Sequence, residues 1–117
     1  MDIEKIRKYC LSKKEVTEDS PFGEEHLAFR VCEKIFALFS LDEIPLRVNL
    51  KCDPEYAIEL REHWEQIIPG FHMNKKHWNT VIIDNNLPTN FFLELLDHAY
   101  EVTAKGLPKK VRDRLLN

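Results

Sequence analysis

The sequence predicts an α+β fold, an antiparallel sheet with helices packed on one face. Leu46–Lys51 is the plainest strand: Leu46, Val48 and Leu50 share one side, while Arg47, Asn49 and Lys51 share the other. Residues 88–104 place Phe92, Leu95, Leu96, Ala99, Tyr100 and Thr103 at helical spacing, the signature of a long amphipathic helix. Between the two ends of the chain the strand-like runs follow one another in sequence, and such runs pair antiparallel and are closed over by the terminal helices.

Taken in order, residues 2–13 set Ile3, Ile6, Tyr9 and Cys10 on one stripe, with Glu4, Lys5, Arg7 and Lys8 around it, which predicts a first helix. Glu15–Gly23 is polar and acidic and ends in Pro21 and Gly23, so it is expected to be a loop. His26–Ser40 predicts a hairpin. In it Leu27, Phe29 and Val31 alternate with Ala28 and Arg30, Ile35, Ala37 and Phe39 alternate with Phe36 and Leu38, and Glu33-Lys34 forms the turn. Asp53-Pro54-Glu55 opens a second helix, because it supplies an N-cap acceptor, a proline at the first helical position and an acid at the positive end of the dipole. That helix is expected to reach His63 or Trp64 and to bury Ala57, Ile58 and Leu60. Pro69-Gly70 is a turn, and Trp78–Ile83 is a strand closed by Asp84-Asn85-Asn86. Gly106 stops the long helix, and Pro108 opens a short last one carrying Lys109, Lys110, Arg112 and Arg114.

The 117 residues suffice for one domain with one core, spanning 1–117. A composition 44% hydrophobic and 32% charged is that of a folded globular chain and not of a disordered one. Three glycines leave no room for a glycine-rich phosphate loop. No apolar run approaches the roughly 18–20 residues that span a bilayer, and Met1–Lys5 has no apolar signal core. Cys10, Cys32 and Cys52 are widely spaced and read as reduced thiols. The expected setting is the cytoplasm, with no membrane partner and a monomeric chain.

The net charge of −3 rules out a protein basic all over, so any nucleic-acid contact has to be local. One such place exists. From Gln66 to Ile83 the chain has no Asp or Glu, and within it lies His72-Met73-Asn74-Lys75-Lys76-His77-Trp78-Asn79. Lys75, Lys76, His72 and His77 can neutralise phosphates, with Arg47 and Lys51 joining if their strand face lies nearby. Asn74 and Asn49 can reach base edges or sugars. Trp78 either stacks on an unpaired base or, as the first residue of a strand, buries its ring. The basic tail from Lys105 to Arg114 is either a second contact or a solvated face.

Other chemistries find less support. His72 and His77 stand five apart with no ligand motif around them, so neither metal nor cofactor is expected. Cys10 and Cys32 read as structural, Cys52 stands near a helix N-terminus able to lower its pKa, and Glu94 with His98 reads as a solvated helical pair. An enzyme is not expected.

Four blocks in order resemble the MmcQ/YjbR family. They are Lys34-Ile35-Phe36-Ala37-Leu38, Asn49 to Glu55, Pro69 to Thr80, and Leu95-Leu96-Asp97-His98-Ala99-Tyr100. The resemblance runs over essentially the whole chain. It implies a frataxin-like (CyaY-like) architecture and a DNA-binding role of the so-called double-wing type. The family usually has Ser before the tyrosine of the long helix; this chain has Ala99, so any role of that hydroxyl is absent. The helix-one acidic ridge of frataxin is also absent: Asp2 and Glu4 face Lys5, Arg7, Lys8, Lys13 and Lys14, the wrong sign for a cation site. The competing expectation is a protein-interaction or small-ligand module in which the same residues wall a concave polar pocket.

Overall fold

The computed structural model describes residues 2–117. The elements are α1 (Ile3–Leu11), β1 (Val16–Asp19), β2 (His26–Val31), β3 (Lys34–Ser40), β4 (Leu46–Lys51), α2 (Pro54–His63), β5 (Ile67–Pro69), β6 (Trp78–Ile83), α3 (Thr89–Lys105) and α4 (Lys109–Leu116). The strands form one six-stranded sheet in the order β1-β2-β3-β4-β6-β5, and every pairing is antiparallel.

Register decides which side chains share a face. Val48 pairs with Val81 and Phe39, and Leu50 with Asn79 and Ala37, so these residues point together toward the helices. Phe29, Phe36, Phe39, Phe92, Ile6 and Leu96 are fully buried there. Truncating one such phenylalanine to alanine costs about 3–5 kcal/mol. α1 and α3 are joined across this layer by the Tyr9 hydroxyl, which donates to Asp97 Oδ1 at 2.7 Å. α2 is tied to the sheet by the Asn79 amide, which donates to the Ala57 carbonyl at 3.2 Å. The opposite face carries Arg47, Asn49 and Lys51 from β4 beside Ile82, Thr80 and Trp78 from β6. No helix covers it.

The predicted strand Leu46–Lys51, strand Trp78–Ile83 and long helix stand where expected, and the long helix buries all six residues of its apolar stripe. Several expectations need correction. Glu15–Gly23 is not all loop: Val16–Asp19 forms an edge strand, with Val16 opposite Val31 and Glu18 turned inward to accept from Arg7. Its polar composition hid it, because a strand paired on one side only needs few apolar residues. β5 was missed for its three-residue length.

The hairpin turn is Cys32-Glu33, not Glu33-Lys34, with φ of 47° and 72°, both left-handed as a two-residue turn requires. A register shift between Phe29 and Arg30 leaves Phe36 as the extra residue of β3. The bulge turns Phe36 into the core against Tyr100, ring centroids 5.7 Å apart, so the simple alternation fails there. Ile58, expected inside α2, is 51% exposed, while Ala57 and Leu60 carry that contact.

The β4–α2 junction has a built cap. Asp53 Oδ2 accepts from the Glu55 and Tyr56 amides at 3.1 and 3.2 Å, and the Asp53 amide itself donates to His98 Nε2 at 3.1 Å. His98 is therefore not the solvated partner of Glu94. It is a partly buried acceptor, and burial lowers its pKa below 6.5, outweighing the nearby charge of Asp53. A protonated ring could no longer accept that bond. A lowered folded-state pKa means the unfolded chain binds the proton more readily, so this contribution is complete above pH 6.5 and is lost as the pH falls through the folded value. Chemical denaturation at about pH 7 and pH 5 should show the wild type losing more stability than His98→Gln across that interval. Separately, Asp53→Ala should lower stability by about 1 kcal/mol, read from the denaturation midpoint.

Candidate functional site

The segment from Gly70 to His77 leaves the edge strand β5, crosses the helix-free face, and returns as β6. Backbone polar groups laid over a sheet need partners, and five side chains supply them. Thr80 Oγ1 accepts from the Phe71 amide at 2.9 Å and donates to Asn49 Oδ1, while Asn49 Nδ2 donates to the Phe71 carbonyl at 3.1 Å. Asn74 Oδ1 accepts from the Lys76 and His77 amides at 2.9 and 3.3 Å, closing a tight turn. The Lys75 ammonium donates to the Gly70 carbonyl at 3.1 Å, and Arg61 of α2 donates to the Lys75 carbonyl at 3.3 Å. The His77 carbonyl takes the Cys52 amide at 2.9 Å. The segment is a pinned ridge.

Gly70 is required at its base. A Cβ there would lie 2.8 Å from Trp78 Cβ and 2.9 Å from the Trp78 carbonyl, the same carbonyl that accepts the Gly70 amide. Such an approach admits only glycine.

The ridge divides the open face. On one side a polar hollow of about 180 Å³ is lined by Arg47, Asn49, Phe71, Thr80, Ser40 and Glu43. On the other, Trp78, Met73 and Lys51 form part of a larger cleft. The register puts Arg47, Asn49, Lys51 and Trp78 on one face of the sheet, and His72, Asn74, Lys75, Lys76 and His77 lie on the segment that joins β5 to β6, with unequal roles.

Trp78 is only 8% exposed, with the Lys51 ammonium 5.1 Å from its ring centroid, so it is not free to stack on a base; the burial alternative holds. Asn49 has both ends of its amide engaged, and Asn74 has its oxygen engaged. These two hold the ridge rather than reach outward. Lys75 and Lys76 are exposed, and His77 is half-buried.

Two residues were overlooked. Phe71 is 64% exposed with the His72 ring tilted against it at 4.1 Å between centroids, so the aromatic surface on the ridge belongs to Phe71. The only sequence signal was its position after Pro69-Gly70. Arg61 was invisible because it comes from another element and reaches the ridge only through the fold.

Pairing alone does not single these cations out, since Lys5, Lys8, Lys14, Lys34, Lys105, Lys110 and Arg112 also stand outside the ion pairs among the described residues. What distinguishes the ridge is that its cations are gathered around one segment. Arg7, Lys13, Arg30, Lys109 and Arg114 each meet a carboxylate. Among the described residues, Arg47, Lys51, Arg61, Lys75 and Lys76 form no ion pair. The basic tail is partly spent: Arg114 meets Glu15 at 2.7 Å and Lys109 meets Asp113 at 2.8 Å.

The thiols do not share in this chemistry. Burial pushes Cys10 and Cys52 up to about 12, so Cys52 is not activated by the helix that follows it. Among the described residues, no three His, Cys, Asp or Glu side chains gather as metal ligands. No helix among them is long and apolar enough to cross a membrane.

Replacing Thr80 by Val removes the hydroxyl from the centre of the network and strands the Phe71 amide. Thr80→Val should cost about 1–3 kcal/mol and raise amide exchange selectively across residues 70–77.

Comparison with known proteins agrees with the blocks noted in the sequence. The profile of the family described as YjbR matches residues 11–102. The Escherichia coli K12 protein YjbR, itself uncharacterised, is 30% identical over 116 residues, covering 99% of this chain and 98% of its own. Escherichia coli O157:H7 YbdF is 34% identical over 96 residues, covering 81% of this chain and 78% of its own. In three dimensions, a crystal structure of a Deinococcus radiodurans protein with a DUF419 domain superposes with a TM-score of 0.88 at 38% identity, over 97% of this chain and 86% of that one. A Pseudomonas syringae protein superposes with a TM-score of 0.74 at 25% identity, over 88% of this chain and 99% of that one. With its profile match, its relatives and its α+β architecture in agreement, the chain belongs to the YjbR (MmcQ/YjbR) family.

Proposed function

We propose that this protein is a non-enzymatic nucleic-acid-binding module that meets DNA with the Gly70–His77 ridge and the cations on either side of it. One observation carries the reading. In a chain of net charge −3, the cations Arg47, Lys51, Arg61, Lys75 and Lys76 surround one ridge and, among the described residues, pair with no carboxylate. Unpaired cations around an exposed aromatic are what a phosphate backbone and its bases can use. Lys75 and Lys76 supply the nearest charge to phosphates. Arg47 and Lys51 extend it to both flanks, and Phe71 with His72 takes the stacking role expected of Trp78. Contacts of this kind position a nucleic acid without reading its sequence.

The architecture fits the same proposal. α1 and α3 lie together on one face of an antiparallel sheet, which supports the frataxin-like (CyaY-like) relationship and leaves the other face open. A monomeric protein of the cytoplasm belongs to the same proposal. A small-ligand function is supported by a separate observation, the concavity that Trp78 lines beside the ridge.

Binding of short fluorescent single- and double-stranded DNA at about 50 and 200 mM salt tests the proposal. Three or four phosphate contacts give a log–log slope of about −3 on duplex, falling toward −1 in Lys75→Ala/Lys76→Ala. Phe71→Ala should weaken single-stranded DNA by about 1–3 kcal/mol and leave duplex less affected. Absence of binding at the lower salt removes the nucleic-acid reading.

A further inference from the structure

The larger cleft beside the ridge is a different kind of place. It has a volume of about 480 Å³, within the range of small-molecule sites, and it lies at the end of the sheet where β3, β4 and β6 meet the C-terminus of α3. Its walls are apolar: Ile35 on the sheet, Met73 and Trp78 at the ridge, Val102 and Leu107 from the end of α3. Its rim is charged, with Lys51 and Lys34 against Glu33, a net single positive charge. Among the described residues none of the three forms a side-chain ion pair.

We infer that this cleft binds a small monocarboxylate with an apolar tail, its carboxylate on Lys51 and Lys34 and its tail between Trp78, Ile35 and Val102.

Charge and polarity select that class. A polyphosphate inside the cleft would bring several negative charges to a rim with one net positive charge and would leave the apolar walls unused. A neutral apolar ligand would leave Lys51 half-buried over the Trp78 ring with no counter-charge. A monocarboxylate satisfies both. Its orientation follows from α3: the helix C-terminus bears partial negative charge, so the carboxylate belongs at the sheet side and the tail at Val102 and Leu107.

The rim is also where the backbone is held in an unfavourable conformation. Cys32 and Glu33 occupy left-handed φ of 47° and 72° without being Gly or Asn, which fixes the Glu33-Lys34 pair at the edge of the cleft.

The test uses the full chain carrying Trp64→Phe, so that Trp78 is the one remaining tryptophan of the two. Octanoate, octylammonium and octanol are titrated at constant ionic strength while Trp78 emission is followed. Octanoate should bind saturably and about tenfold more tightly than octylammonium, and Lys51→Met should abolish that preference while leaving octanol unchanged. Val102→Phe, which fills the cleft, should block octanoate without altering the DNA salt slope. Equal binding of the two ions, no saturation with octanoate, or an unchanged titration in Val102→Phe would overturn the assignment. Should Val102→Phe fail to fold, the Lys51→Met comparison decides alone. Octanoate binding without DNA binding would support the cleft while removing the ridge as a nucleic-acid surface, so the two readings fail separately.

Discussion

Everything on the open side of this molecule depends on one hydroxyl. Thr80 stands in the middle of β6 with its side chain away from the helices, where an apolar residue would leave a bare sheet surface. Its oxygen takes the Phe71 amide and gives its own proton to Asn49, which in turn holds the Phe71 carbonyl. Three residues of three different segments become one hydrogen-bonded unit, only 3% exposed at Thr80. Buried polar groups of this kind are costly unless all their bonds are made, and here the bonds specify where the ridge lies. The polar hollow, the exposed Phe71 and the cleft beside Trp78 are consequences of that placement.

The two sides of the sheet therefore follow different rules. On the helical side, aromatic and aliphatic side chains are close-packed and set the stability of the domain. On the other side the same strands carry long cations and short polar groups, and a loop replaces a helix as the cover. Arg61 links the two, since it leaves a helix of the packed layer and ends on the carbonyl of Lys75 in the ridge. Lys51 does so as well: its chain neighbours Leu50 and Cys52 are core, while its ammonium lies over Trp78 at the cleft.

Much of this was legible in the sequence, and the failures have physical causes. Leu46–Lys51 and Thr89–Lys105 were clear because each has one wet and one dry face, which fixes the period. Val16–Asp19 was not, because an edge strand buries too little to impose alternation. Phe36 misled because a bulge breaks the period locally and leaves no mark in composition. For the site, spacing gathered the correct segment but could not rank its members. Trp78 looks like the binding aromatic in one dimension, yet pairing with Lys51 across β4 and β6 places its ring under the ridge. Asn49 and Asn74 have the chemistry to read a base and are used instead on their own backbone. His98, spaced like a solvated helical pair with Glu94, became an acceptor because the β4–α2 junction happens to end beneath it.

The outermost strands carry one more consequence. β1 has four residues, two of them acidic, and β5 has three, the last of them Pro69, which has no amide to donate. An unpaired strand edge is a template for adding a strand from another chain, and short, charged or proline-bearing edges are poor templates. The sheet is closed to lengthening at both ends. Whatever associates with this protein is thus steered away from β-augmentation and the aggregation that it invites.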